Sequence, residues 1–220
     1  MKYENFLCLM DKLLGENGCP WDREQTHESL RQYLLEECYE TIDAINSGDM
    51  TSLKEELGDV LLQVVFHGKL AERSGAFTMD DIISAITHKL VSRHSHIFGT
   101  DTAKNPEDVS RVWEANKKKE RPHNTSQAMA AVPKAMPALV RAEKVLKRAA
   151  KNRPDIKSLT NDIYDGLELL KSTKGSHFEI YGKTLLQMVG LSSILGVNAE
   201  FSLTNAVEEF INTNIAESPH

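Results

Sequence analysis

Two short acidic blocks, Glu36-Glu37-Cys38-Tyr39-Glu40 and Glu56-Leu57-Gly58-Asp59, constrain this chain more than any other feature. Each block lies inside a run with helical periodicity, and residues three and four apart share a helix face. Glu36 and Glu40 are therefore neighbours, as are Glu37 and Glu40, and Glu56 and Asp59. If the two helices pack antiparallel, these carboxylates converge on one spot. Such a cluster repels itself unless a cation sits in it. Oxygen-only donors of this kind suit Mg²⁺ or Mn²⁺ rather than zinc. The run from Val60 to Phe66 is apolar almost all round, so the second helix is expected to be buried there. Carboxylates at the polar end of such a run are unfavourable without compensation, which separates them from a solvated charged face.

The rest of the chain also reads as helices. Phe6, Leu7, Leu9, Met10, Leu13 and Leu14 predict a short amphipathic helix over 3–14. The segment Gly18-Cys19-Pro20-Trp21-Asp22 is a turn, and Trp21 either closes over a pocket or anchors a buried loop. The acidic helix is expected over about 26–46, ended by Ser47-Gly48. Ser52-Leu53-Lys54-Glu55 fits a capping box opening the second helix over about 52–73. A third helix starts at Thr78, with Asp81 as its box partner. It ends in Lys89, Arg93, His94 and His96. Lys89 and Arg93 share a face: they form a clamp for phosphate oxygens, or they complement the helix dipole. Asn105-Pro106-Glu107-Asp108 is a helix start, followed by Trp113 and Lys117 on one face. That pair suits a base ring and a phosphate, or simple packing and solvation. Residues 122–133 read as a polar linker, followed by a basic helix over about 134–151.

A net charge of −6 over 220 residues argues against a nucleic-acid binder, because phosphate backbones need clustered Lys and Arg. A hydrophobic fraction of 40% supports a real core. Cys8, Cys19 and Cys38 have no metal-ligand spacing and read as free thiols. There is no signal-peptide pattern and no apolar run long enough to span a bilayer, so the expectation is a cytoplasmic protein without membrane partners.

The C-terminal part repeats the N-terminal pattern. One constant offset places Gly58 on Gly182, Leu61 and Leu62 on Leu185 and Leu186, Gln63 on Gln187, and Val65 on Val189. The same offset places Phe77 on Phe201, and the Thr78 cap on Ser202, without a gap. It also replaces Glu56 by Ile180, Asp59 by Lys183, Lys89 by Thr213 and Arg93 by Glu217. A lysine in place of a carboxylate puts positive charge where a cation would sit, so the second copy keeps the scaffold without the site. The expected organisation is all-α: a catalytic unit over 1–121, a linker and connecting helix over 122–152, and a degenerate unit over 153–220.

The Gly-Cys-Pro-Trp-Asp segment, Gln25-Thr26, the Glu-Glu-x-x-Glu block and the Glu-x-x-Asp block together closely resemble the MazG family of nucleoside triphosphate pyrophosphohydrolases. Lys89 to Arg93, the stretch from His94 to Gly99, Trp113 and Lys117 extend the likeness, as does the linker with Pro133, Pro137, Ala138, Leu139, Arg141 and Ala142. The resemblance implies two tandem MazG-like bundle units, the second degenerate, in a homodimer. It implies Mg²⁺-dependent hydrolysis of nucleoside triphosphates to monophosphate and pyrophosphate. By the same resemblance Glu37, Glu40, Glu56 and Asp59 hold the metal and Glu36 orients or activates water. Lys89, Arg93 and Lys117 hold phosphates, Trp113 lies near the nucleotide, and Trp21 belongs to the substrate site. Two-domain members often place catalysis in the C-terminal unit; here only the N-terminal unit carries the ligands. The chemistry fits, since α–β phosphate cleavage needs charge neutralisation and an activated water. No Walker-type loop offers another route. The alternatives are a specialised deoxynucleotide hydrolase of the dUTPase or dCTPase kind, and a catalytically weak nucleotide-sensing or interaction protein.

Overall fold

The helical periodicity is realised as twelve helices, with no strand among the described residues. The structure, a computed structural model, describes residues 3–120, 124–149, 154–172 and 176–216. The chain divides into two compact units between Asn116 and Lys117. No single helix among the described residues is long and apolar enough to cross a membrane.

The first unit contains α1 (Tyr3–Leu14), α2 (Pro20–Glu24), α3 (Arg31–Ser47), α4 (Met50–Arg73), α5 (Met79–Arg93), α6 (Ser95–Phe98) and most of α7 (Pro106–Lys119). Gly48, at φ 71°, takes the left-handed position that ends α3. The connection to α4 is short, so α3 and α4 lie side by side and antiparallel. Met10, Leu14, Leu30, Val65, Phe66 and Met79 are buried together, and Phe6, Tyr33, Leu62 and Ile82 pack against them. The core therefore sits between α1, the start of α3 and the middle of α4. Lys69 ties α1 to α4, its Nζ 2.7 Å from Asp11 and 2.9 Å from Glu72. Burial opposes the lysine charge, but these hydrogen bonds and charges outweigh it and its pKa is raised.

Several local expectations are corrected. The helix expected from residue 26 begins at Arg31, because Thr26 and Ser29 bond each other's backbone N–H and hold the preceding segment as a turn. The α4 cap is Asp49, which accepts from the Thr51 and Ser52 backbone N–H groups, and the expected Ser52 box lies inside the helix. The Thr78–Asp81 box is formed as expected. The run Val60–Phe66 is not buried all round: Val65 and Phe66 are, but Leu61 is 43% and Val64 38% exposed. A helix packed against neighbours on part of its circumference leaves the remaining stripe open.

In the second unit α8 (Thr125–Ala130) packs on α9 (Ala138–Ala149), and α9 lies on α11 (His177–Leu195) and α12 (Ala199–Ala216). α10 (Ile156–Lys171) pairs with α11. The polar stretch expected as linker thus contains a helix, capped by Asn124. The expected Ser202 cap is also corrected. Gly196 ends α11 at φ 72° and α12 has begun by Ala199, so Ser202 lies within the helix. The Asn198 side chain accepts from the Phe201 N–H instead.

The Gly18 segment folds back on α1 by backbone contacts. Cys19 N–H donates to Leu13 O over 2.8 Å, and Gly18 N–H to Gly15 O over 2.9 Å. A Cβ on Gly18 would lie 2.1 Å from Leu13 O and 2.4 Å from Lys12 O. These are helix carbonyls and cannot swing aside. We expect Gly18→Ala to destabilise the protein by about 2 kcal/mol, read as a lowered urea midpoint.

Candidate functional site

The antiparallel α3–α4 pair brings Glu37 opposite Glu56 and Asp59, and oxygens of these three carboxylates lie within 4.8 Å of one another. They form the one such group of three or more metal-ligating side chains among the described residues. Glu40, a turn further along α3, adds its charge to the repulsion on both Glu37 and Glu56. Glu36 is exposed at the margin and adds the smallest of the repulsions that Glu37 feels. Burial, then repulsion from Asp59, Glu40, Glu56 and Glu36, raises the Glu37 pKa. Burial, then Glu40 and Asp59, raises that of Glu56. The donor set is all oxygen, anionic and self-repelling, and fits a hard divalent cation.

The raised pKa values fix the sign of a linkage. Above the ordinary glutamate range the folded state holds protons that the unfolded chain has released. Stability of the metal-free protein therefore falls as pH rises through that window, and the contribution is fully present below it. A divalent cation replaces the protons. As pH rises above the ordinary glutamate range, Tm without metal should fall and the increment produced by Mg²⁺ should grow. Differential scanning fluorimetry with and without Mg²⁺ measures both. Glu37→Gln should raise the metal-free Tm and remove most of the Mg²⁺ increment.

Trp21 is 51% exposed, so it is not a buried loop anchor. Its ring stands edge-on to Tyr33, with centroids 5.8 Å apart, and Tyr33 lies one turn before Glu37 on α3. At the end of α5, the Arg93 guanidinium sits over the Trp113 ring, 5.2 Å from its centroid. His94 meets the same ring edge-on at 5.0 Å. Such a cation–π contact contributes about 1 kcal/mol and fixes the guanidinium against a plane. Lys89 is exposed one turn before Arg93. Lys117 follows Trp113 by one turn on α7, past the boundary of the first unit. The sequence-derived residues thus form an acid group, an Arg93–Trp113 group, and Trp21 on Tyr33.

Other groups in the first unit were not anticipated. His27 and His67 stack with rings 5.1 Å apart and Nδ1 atoms at 2.8 Å. Burial, then the charge of His27, lowers the His67 pKa. Gln63, four residues after Asp59, is buried with its Oε1 unpaired. Asn116 is buried against Ser95. The helical spacing of Asp59, Gln63 and His67 was visible in the sequence; their partners, distant along the chain, were not.

An all-α unit with a carboxylate cluster between two antiparallel helices defines a class of helical proteins with a candidate divalent-cation site. Comparison with known proteins narrows the class. Residues 25–98 match the family model described as the MazG nucleotide pyrophosphohydrolase domain. A nucleoside triphosphate pyrophosphohydrolase/pyrophosphatase MazG of Thermotoga maritima is 38% identical over 214 residues, covering 95% of this chain and 82% of the relative. A nucleoside triphosphate pyrophosphohydrolase of Escherichia coli is 37% identical over 219 residues, covering 94% and 83%. A crystal structure of a mazG-related protein from Thermotoga maritima is 25% identical. It covers 52% of this chain and 98% of its own, with a TM-score of 0.46. The chain belongs to the MazG family of nucleoside triphosphate pyrophosphohydrolases.

Proposed function

We propose that the first unit hydrolyses nucleoside triphosphates to the monophosphate and pyrophosphate, with Mg²⁺ held by Glu37, Glu56, Asp59 and Glu40. The observation that carries this reading is the convergence of the Glu37, Glu56 and Asp59 oxygens within 4.8 Å, in a chain of this family. When bound, the cation neutralises phosphate charge and acidifies water. The protein's own groups do the rest. Glu36, outside the tight cluster, takes a proton from the attacking water. The water oxygen bonds to the α phosphorus, the α–β bridging bond breaks, and pyrophosphate leaves. Lys89 and Arg93 bind phosphate oxygens, Trp113 orients the Arg93 guanidinium and offers a ring face to the nucleotide, and Lys117 lies one turn on along the same helix. Trp21, half exposed on Tyr33, supplies a second aromatic wall on the acid side.

Ile180 and Lys183 on α11 stand where the repeat would place Glu56 and Asp59. We assign no metal to the second unit. A homodimer is the assembly that suits the open stripe on α4, where Leu57, Leu61 and Val64 are exposed at helical spacing. The net negative charge favours a metal-bound phosphate substrate over nucleic acid.

The test is a product assay with each common triphosphate and Mg²⁺. Monophosphate and pyrophosphate are expected; diphosphate and phosphate would contradict the reading. Nucleotide binding without turnover would favour the sensing alternative. Glu40→Gln and Asp59→Asn should each lower kcat at least about a hundredfold while circular dichroism stays unchanged. Lys183→Ala should leave turnover as it is.

A further inference from the structure

Arg93 and His94 both meet the Trp113 ring and join two segments far apart in sequence, but contacts that all fall on one ring leave the angle between the segments free. A contact at a second point lies close beside them. Asn116, 8% exposed, donates from Nδ2 to Ser95 Oγ over 2.6 Å. The Ser95 hydroxyl in turn donates to Asp101 Oδ2 over 2.5 Å. The donors run in one direction and end on a carboxylate, so each bond polarises the next.

Ser95 is also held from its other side. Gly99 N–H donates to Ser95 O over 2.9 Å, closing α6 on itself. A Cβ on Gly99 would lie 2.9 Å from Ser95 O and 3.3 Å from Ser95 Cβ. The α6 turn is therefore packed without slack, and the Ser95 hydroxyl has a defined position. Ser95 lies two residues after Arg93, and Asn116 lies three residues, one helical turn, after Trp113. The hydrogen bond and the cation–π contact thus bridge the same two segments at neighbouring points. Two such points fix both the separation and the rotation of α7 relative to the end of α5.

We infer that Asn116, Ser95 and Asp101 are positioning residues whose hydrogen-bond chain sets Trp113 beneath Arg93 and so preorganises the phosphate- and ring-binding half of the substrate site. Their effect on substrate rests on the proposed pyrophosphohydrolase reading; their effect on Trp113 does not. None of the three needs to touch substrate. Loss of the chain leaves the carboxylates intact, so it should weaken substrate capture more than chemistry.

The test uses the full chain, a triphosphate that it hydrolyses, and Mg²⁺. Ser95→Ala and Asn116→Ala should each raise KM about fivefold, with kcat within about twofold of the parent. Ser95→Thr, which keeps the hydroxyl, should restore the parent KM. Fluorotryptophan labelling gives an independent readout without nucleotide, because the chain has only two tryptophans. Trp21→Phe assigns the two ¹⁹F resonances. In both alanine variants the Trp113 signal should shift or broaden, while the Trp21 signal stays in place. An unmoved Trp113 resonance would overturn the inference. So would a moved resonance with unchanged KM in an active enzyme, or equal displacement of both tryptophans in the alanine variants. If the parent hydrolyses no triphosphate, the functional reading fails by itself, and the fluorine spectra still decide whether the chain positions Trp113.

Discussion

Repulsion among carboxylates that the backbone does not let separate is the condition around which the first unit is arranged. Glu37, Glu56 and Asp59 sit on two helices whose spacing is set elsewhere, by Leu30, Val65 and Phe66 packed with α1 and α5. Hydrophobic burial fixes the interhelical distance, and the acids accept whatever separation results. Burial, and then their mutual repulsion, raises the pKa values of Glu37 and Glu56. A site under that strain has two ways to relax, by binding protons or by binding a cation.

The cationic half of the unit follows a different logic. Arg93 rests on the Trp113 ring, and the ring is carried by α7. Rigid elements give a site more precision than the loops that join them. Here a short turn, α6, links the two elements and is closed by Gly99 against Ser95. The unit thus pairs a mutually repelling anionic group with a cationic one seated on a ring.

Much of this was legible in the residues. The positions of Glu37, Glu56 and Asp59 follow from helical spacing and a short connection between two apolar runs. The Thr78 box and the Gly48 stop are local chemistry, and local chemistry survives folding. The start of α3 is not legible in the sequence, because Thr26 and Ser29 satisfy each other's backbone, an arrangement as compatible with a turn as with a first helical turn. The buried face of α4 was overestimated because periodicity reports apolar surface, not what covers it. The seating of Trp113 depends on Ser95 and Asn116, 21 residues apart, and nothing in either neighbourhood announces the pair. The repeat holds through the apolar positions of α11, yet Gly196 and Asn198 replace the turn chemistry of the first unit.

The unequal packing along the α3–α4 pair has a consequence for motion. One end is locked into the core through Leu30, Val65 and Phe66, whereas at the other Ile45, Met50 and Leu57 remain more than half exposed. The short connection through Gly48 and Asp49 joins the helices at that exposed end, and the acids lie between the two ends. The pair is therefore a closed hairpin, spaced by core packing at one end and by the chain itself at the other. The acids cannot move apart by splaying either end, so their repulsion is relieved by what they bind rather than by motion.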